Sequence, residues 1–315
     1  MPRVRDIVIV PTDARFTNLP DWDTHPPASW DNGPVALGDG ITIECLSGED
    51  AKAVMDASTP AGENFEATRQ FSQLYAFVRE IGDAEYQNPH SGWDMTHALT
   101  YTLALSRLVL DNAYCTEFAA RLIEEPDGRR IIEPVLGLDQ RLAYRLRETR
   151  FWLTETEAAE LATLRDAFSR NEGLLPDRVR RAIWRCGRSA ETRFLGETVM
   201  HVVTGLEALL KTERHNATNQ FTTRMPMLAA ALVPGGSATD WRAVYAARSD
   251  VSHGAEVALF AAPGRTRGGT PPPAAIALVA ATQDLLRAAV RRAIEDAAFR
   301  AQFADDGAVR AAWPI

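Results

Sequence analysis

From about Phe151 onward the apolar residues of this chain fall at helical spacing, whereas before it they alternate in short β-branched runs broken by proline and glycine. Two such patterns do not build one uniform layer of structure. At 315 residues the chain also exceeds the usual size of a single hydrophobic core. The expectation is an α+β N-terminal domain over residues 1–150, followed by an all-α helical bundle over residues 151–315.

In the first half, DIVIV (Asp6–Val10) and ITIECL (Ile41–Leu46) alternate as strands do, and Pro20, Pro26, Pro27, Gly33, Pro34 and Gly38 between them mark loops. Ser47 and Asp50 have capping-box spacing ahead of AKAVMDA, which predicts a short helix. QLYAFVREI (Gln73–Ile81) fits either strand or helix. THALTYTLALSRLVL (Thr96–Leu110) is the clearest helix of this half, with Asp94 as candidate N-cap and apolar residues on nearly every side, so it belongs in the core. AARLIEE and RRIIEPVLG read as strands flanking a Pro126-Asp127-Gly128 turn.

In the second half, Thr154 and Glu157 form another capping box before ETEAAELATLRDAFSRN, whose packing residues are Ala159, Leu161, Ala162, Leu164, Ala167 and Phe168. Helical segments follow at Arg178–Phe194, Gly196–Thr212, Asn219–Val233 and Ala274–Phe299. Pro176 fits a helix start, Ser237 with Asp240 caps the segment that carries Tyr245, and Pro271 to Pro273 precede the last long helix. Pro226 either delays the start of its helix or bends it. The Gly- and Pro-rich stretch Ala262–Pro273 is expected as a mobile loop.

The capped segment ends in YAARSDVSHG, which sets Arg248 and His253 five positions apart. Metal-free cleavage of a phosphodiester requires these two groups: imidazole moves a proton near neutral pH, and guanidinium holds the charge that builds on phosphorus. Five residues turn an ideal helix by about 500°, so the two side chains do not share a face. Two arrangements repair this. Gly254 favours helix termination and lets His253 swing on an unwinding turn, or two copies meet across a twofold axis so that each arginine serves the other's histidine. Against these stands a purely structural reading, in which Arg248 pairs with Asp250 or Glu256 and His253 caps the helix.

The succession of a helix ending in TGLEALL, an F-x-x-R segment at Phe221–Arg224, Y-x-x-R-S, and H-G at His253-Gly254 resembles the HEPN superfamily, in its Apea-like branch. The resemblance covers roughly residues 153–300. It implies a helical bundle that dimerises and, in active members, cleaves RNA without metal in antiviral defence, toxin–antitoxin or RNA-processing systems. It favours the composite site at a homodimer interface, with His253 moving the proton and Arg248 steadying the transition state. Tyr245, Ser249, Asp250, Glu207 and Arg224 are the supporting candidates: Tyr245 to stack on a base or orient the arginine, and Glu207 to hold an arginine of the site or merely face water. Active members often carry Asn, His or Asp where this chain has Ser249. The alternative is a non-catalytic HEPN-like module that binds RNA, a nucleotide or a protein partner.

Composition bears on partners. From Pro176 onward there are 18 Lys+Arg and 13 Asp+Glu, against 16 and 29 before it, so a net charge of −8 hides a basic C-terminal half suited to RNA. Arg178, Arg181, Arg185 and Arg188 recur along one helix face as candidate phosphate contacts, with a solvated face as the plain alternative. Cys45, Cys115 and Cys186 lack C-x-x-C spacing, and Asp94 with His97 or Glu197 with His201 lack further ligands, so neither a disulfide framework, a metal nor a cofactor is expected. No signal peptide or apolar run of membrane-spanning length is read, which predicts a cytoplasmic protein away from membranes, with an antitoxin or regulatory partner and a sensing or RNA-selecting N-terminal domain.

Overall fold

The computed structural model describes residues 2–10, 34–46, 48–58, 75–88, 91–109, 118–136, 155–190, 192, 194–213, 215–233, 239–254, 257–260 and 271–315. The chain divides into two compact units, Met1–Leu142 with Arg150–Asp166, and Ala143–Thr149 with Ala167–Ile315.

The first unit is built on a six-stranded antiparallel sheet. Its strands are β1 (Arg3–Val10), β2 (Val35–Gly38), β3 (Ile41–Cys45), β4 (Tyr75–Ile81), β5 (Phe118–Glu124) and β6 (Arg130–Leu136), in the order β2-β3-β4-β1-β5-β6. Strand β1 lies between β4 and β5 and is buried on both faces, with Val4, Arg5, Asp6, Ile7 and Val8 all buried. On one face Ile7 packs with Val78, Ala120 and Leu122 beneath Ala51 and Val54 of helix α1 (Gly48–Ser58). On the other, Val4 packs with Ile81 and Ile123. Buried charges are paired across strands: Asp6 lies opposite Arg79 and Arg121 in register, and Arg121 donates to both its oxygens at 2.7 and 3.1 Å. Asp50, in the first turn of α1, binds Arg5 at 2.9 Å and Arg130 at 2.6 Å, tying the helix to β1 and β6.

Several expectations change here. Val35–Gly38, expected as loop, is edge strand β2, and the chain turns through Gly38, Asp39 and Gly40, all at positive φ, into β3. Gln73–Ile81 resolves to a strand over Tyr75–Ile81. The short helix α2 (Asp83–Tyr86) precedes α3 (Ser91–Val109), which starts three residues before Asp94 and so places that residue inside the first turn rather than at the cap. The hairpin about Pro126-Asp127-Gly128 joins β5 to β6 as expected, and Pro134 is accommodated because β6 is an edge. Pro20, Pro26, Pro27, Gly33, Ser47, Thr154 and Cys115 lie outside the described residues.

Helix α4 (Glu155–Asn171) buries Ala158, Leu161, Leu164 and Phe168 at i, i+3, i+6 and i+10, and Ala159, expected to pack, is exposed. The second unit then runs through α5 (Asp177–Ser189), α6 (Leu195–Leu210), α7 (Ala217–Leu232), α8 (Trp241–Ser252) and α9 (Pro273–Glu295), ending in the short helices α10 (Ala297–Ala301) and α11 (Asp306–Ala312). Helix α6 packs against α5, α8 and α9, and α7 against α8 and α9. At the α6–α9 crossing a Cβ on Gly205 would stand 2.8 Å from the end of the Leu286 side chain and 3.2 Å from the Cβ of Arg185, so those side chains fill the space beside the glycine. Helix α7 continues through Pro226. The expected helix to Phe299 stops at Glu295, because the Asp296 carboxylate accepts from the backbone N–H groups of Ala298 and Phe299 and starts α10. Among the described residues α9 is the one helix long and apolar enough to cross a bilayer, by length and composition alone, and half of that stretch is buried inside the protein. The Gly- and Pro-rich stretch before it lies largely outside the described residues.

Candidate active site on the helical unit

Helix α8 begins where the Asp240 carboxylate accepts the backbone N–H of Ala243 at 3.0 Å, so the cap is Asp240 itself, and Ser237 lies outside the described residues. Trp241, Tyr245 and Arg248 then follow at i, i+4 and i+7, one face of the helix. Trp241 and Tyr245 are buried, while Arg248, at the end of the stripe, keeps 28% of its side chain exposed.

Glu207 of α6 meets this stripe. Its side chain is 8% exposed and is doubly engaged: Tyr245 Oη donates to Oε1 at 3.0 Å, and Arg248 Nη2 lies 3.1 Å from Oε2. Of the two readings of Glu207, holding an arginine and facing water, this is the first. Burial, followed by the neighbouring carboxylate, raises the Tyr245 phenol above its ordinary value, which keeps it a donor. The Tyr245 ring is packed against Phe221 of α7, centroids 5.1 Å apart, and the Arg248 guanidinium carbon lies 6.0 Å from its centre. Tyr245 therefore orients the arginine, and a base cannot stack on a ring enclosed in this way. A guanidinium has five N–H donors, so one ion pair leaves donors of Arg248 for an anion.

The helix ends as its sequence indicates. His253 occupies the C-cap, donating its N–H to the Ser249 carbonyl at 3.0 Å, and Gly254 follows at φ +67°. The His253 side chain is exposed, with no hydrogen bond among the described residues, and none joins it to Arg248. The ion pair of Arg248 goes to Glu207 rather than to Asp250. Ser249 and Asp250 are half-buried, and Glu256 lies outside the described residues.

Arg224 belongs elsewhere. It is 1% exposed and donates to the carbonyls of Trp313 at 2.7 Å and Leu210 at 2.6 Å, as well as to Thr212 Oγ1 and Gln220 Oε1. Burial holds its guanidinium below the ordinary value. It serves the C-terminal end of α6 and the end of the chain. The four candidate arginines of α5 also separate: Arg178 caps α6 through the carbonyls of Leu209 and Lys211 and pairs with Asp306, and Arg185 donates to Nδ1 of His201 at 3.0 Å. Arg181 is exposed and Arg188 half-buried. Between these two stands Trp184, 52% exposed, which a reading confined to the charges passed over although its helical spacing from both was visible.

Compared with known proteins, the chain matches no family model, no curated protein and no solved structure.

Proposed function

We propose that this chain is a metal-independent, HEPN-like endoribonuclease that works as a homodimer. The observation that carries the reading is the locked Arg248: a buried carboxylate and a buried tyrosine hold a guanidinium at the edge of the fold, one turn before an exposed histidine that ends the same helix. An arginine fixed before substrate arrives costs no reorganisation when charge develops, which is what transition-state stabilisation requires. His253 is exposed and unspent, and the two side chains leave the helix about 140° apart, which favours the arrangement in which each comes from a different subunit.

In that composite site the His253 imidazole takes the proton of an RNA 2′-hydroxyl. The oxygen attacks the adjacent phosphorus, Arg248 stabilises the pentacoordinate state, and the P–O5′ bond breaks as the His253 imidazolium returns the proton to the leaving 5′-oxygen. The products are a 2′,3′-cyclic phosphate and a 5′-hydroxyl. We place the activity in the cytoplasm, in antiviral defence or a toxin system, with an antitoxin or regulatory partner restraining it. The purified chain is expected to cut RNA in EDTA, and His253→Ala and Arg248→Ala to abolish the cut. Because His253 is exposed, its variant should keep its stability within about 0.5 kcal/mol. Equal cleavage by the wild type and both variants refutes the reading.

The Glu207 ion pair also supports a second reading, since it is a sufficient structural reason for Arg248 as a link between α6 and α8. A non-catalytic module that binds RNA without cutting it is then the outcome.

A further inference from the structure

We infer that the exposed face of α5 is a binding site for single-stranded RNA, with Trp184 as the base-stacking platform and Arg181 and Arg188 as the phosphate contacts on either side of it. The sequence of α5 carries five arginines and one acidic residue, Asp177. Its inner face buries Val179, Ala182, Ile183 and Cys186. Arg178 and Arg185 bond within the helical unit as described, and Arg180 donates to the carbonyls of Glu172 and Leu175 at 2.8 and 3.1 Å. Arg181 and Arg188 flank the one large aromatic side chain that α5 turns outward, at i−3 and i+4 from Trp184.

An indole left 52% exposed gives up much of the burial that usually places tryptophan inside. Its surroundings define what covers it. A protein partner's apolar patch would have to desolvate the exposed Arg181 guanidinium, whereas a nucleotide supplies a planar π-face for the indole and a phosphate on each side for the five-donor guanidinium groups. Arg181 and Arg188 lie two helical turns apart, about 10 Å along the axis, with Trp184 between them, so a base on the indole directs its 5′ and 3′ phosphates toward different arginines. Bases in a duplex are already stacked on one another, and the site therefore takes single strands. Only the choice of RNA over DNA rests on the proposed function.

The test is fluorescence anisotropy of the full chain with a labelled 2′-O-methyl oligoadenylate, which lacks the attacking hydroxyl and reports binding apart from cleavage. Trp184→Ala is expected to weaken binding about tenfold, and Trp184→Phe to restore most of it. Arg181→Gln and Arg188→Gln should each weaken binding and lower the slope of log K against log salt by about 0.7. The inference is overturned if the wild type does not bind, if Trp184→Ala binds as the wild type does, or if a duplex binds equally well. It is also overturned if Trp184→Ala alters the oligomeric state by light scattering while oligonucleotide binding is kept, since the face is then a protein contact. A chain that never cuts RNA yet loses binding in Trp184→Ala keeps this inference and loses the proposed function; one that cuts RNA but binds normally in Trp184→Ala does the reverse.

Discussion

Glu207 carries two bonds on one buried carboxylate, so its chemistry can be separated from its bulk. Glu207→Gln keeps the shape but removes the charge that faces Arg248, leaving a half-buried guanidinium without its counter-ion. Tyr245→Phe removes only the phenolic donor. Each is expected to cost about 1–3 kcal/mol in urea unfolding, and the double variant less than their sum, because both act through one carboxylate. RNA cleavage should fall in both, with kcat affected more than KM if Arg248 acts on the transition state alone. Arg248 itself was legible in the sequence through its spacing from His253. Glu207 was legible only as a candidate to hold an arginine of the site or face water, because it lies 41 positions away and the packing of α6 on α8 brings the two together.

Within the helical unit α6 packs against α5, α7, α8 and α9, and at Gly205 the Leu286 and Arg185 side chains fill the space beside it. Gly205→Ala pushes a methyl group against Leu286 and the Cβ of Arg185, so despite its better helix propensity it should destabilise the unit by about 1–3 kcal/mol, read as a lowered Tm in calorimetry. The periodicity that marked TGLEALL as helical said nothing of this crossing. Boundaries show the same division. The turn at Pro126-Asp127-Gly128, the start of α5 after Pro176 and the stop after His253 follow from local chemistry, and the structure has all three. Strand β2 was hidden because four residues ending in glycine carry too little alternation, and its pairing with β3 decides it. On α4 the expected Leu161, Leu164, Ala167 and Phe168 are buried, and only at the N-terminal end does Ala158 take the inward place expected of Ala159, which points about 100° away around the helix.

For the whole molecule, the composite site is a statement about two chains. If the arginine of one subunit serves the histidine of the other, a heterodimer of Arg248→Ala and His253→Ala contains one intact site and one that has lost both groups. Mixing the two inactive variants under conditions of subunit exchange is then expected to restore cleavage to about half the wild-type rate per heterodimer. If each chain holds its own complete pair, every site in the mixture lacks one group and no activity returns. The charge balance is −13 before Pro176 and +5 from it onward, so of the two parts of the chain the second is the one whose net charge suits a polyanion.

What the amino-acid sequence determined by itself is local: the alternation that makes strands, the apolar spacing that makes helices, the prolines and glycine that bound them, and the two residue types that give Arg248 and His253 their chemistry. The tertiary structure decided what each charge is used for. Arg178, Arg185 and Arg224 carry the same guanidinium as Arg248 and Arg181, yet the first three are spent on carbonyls, a histidine ring and a carboxylate, while Arg248 is held at an edge and Arg181 faces solvent. Hydrogen bonding and burial depend on neighbours far along the chain, and no local pattern encodes them.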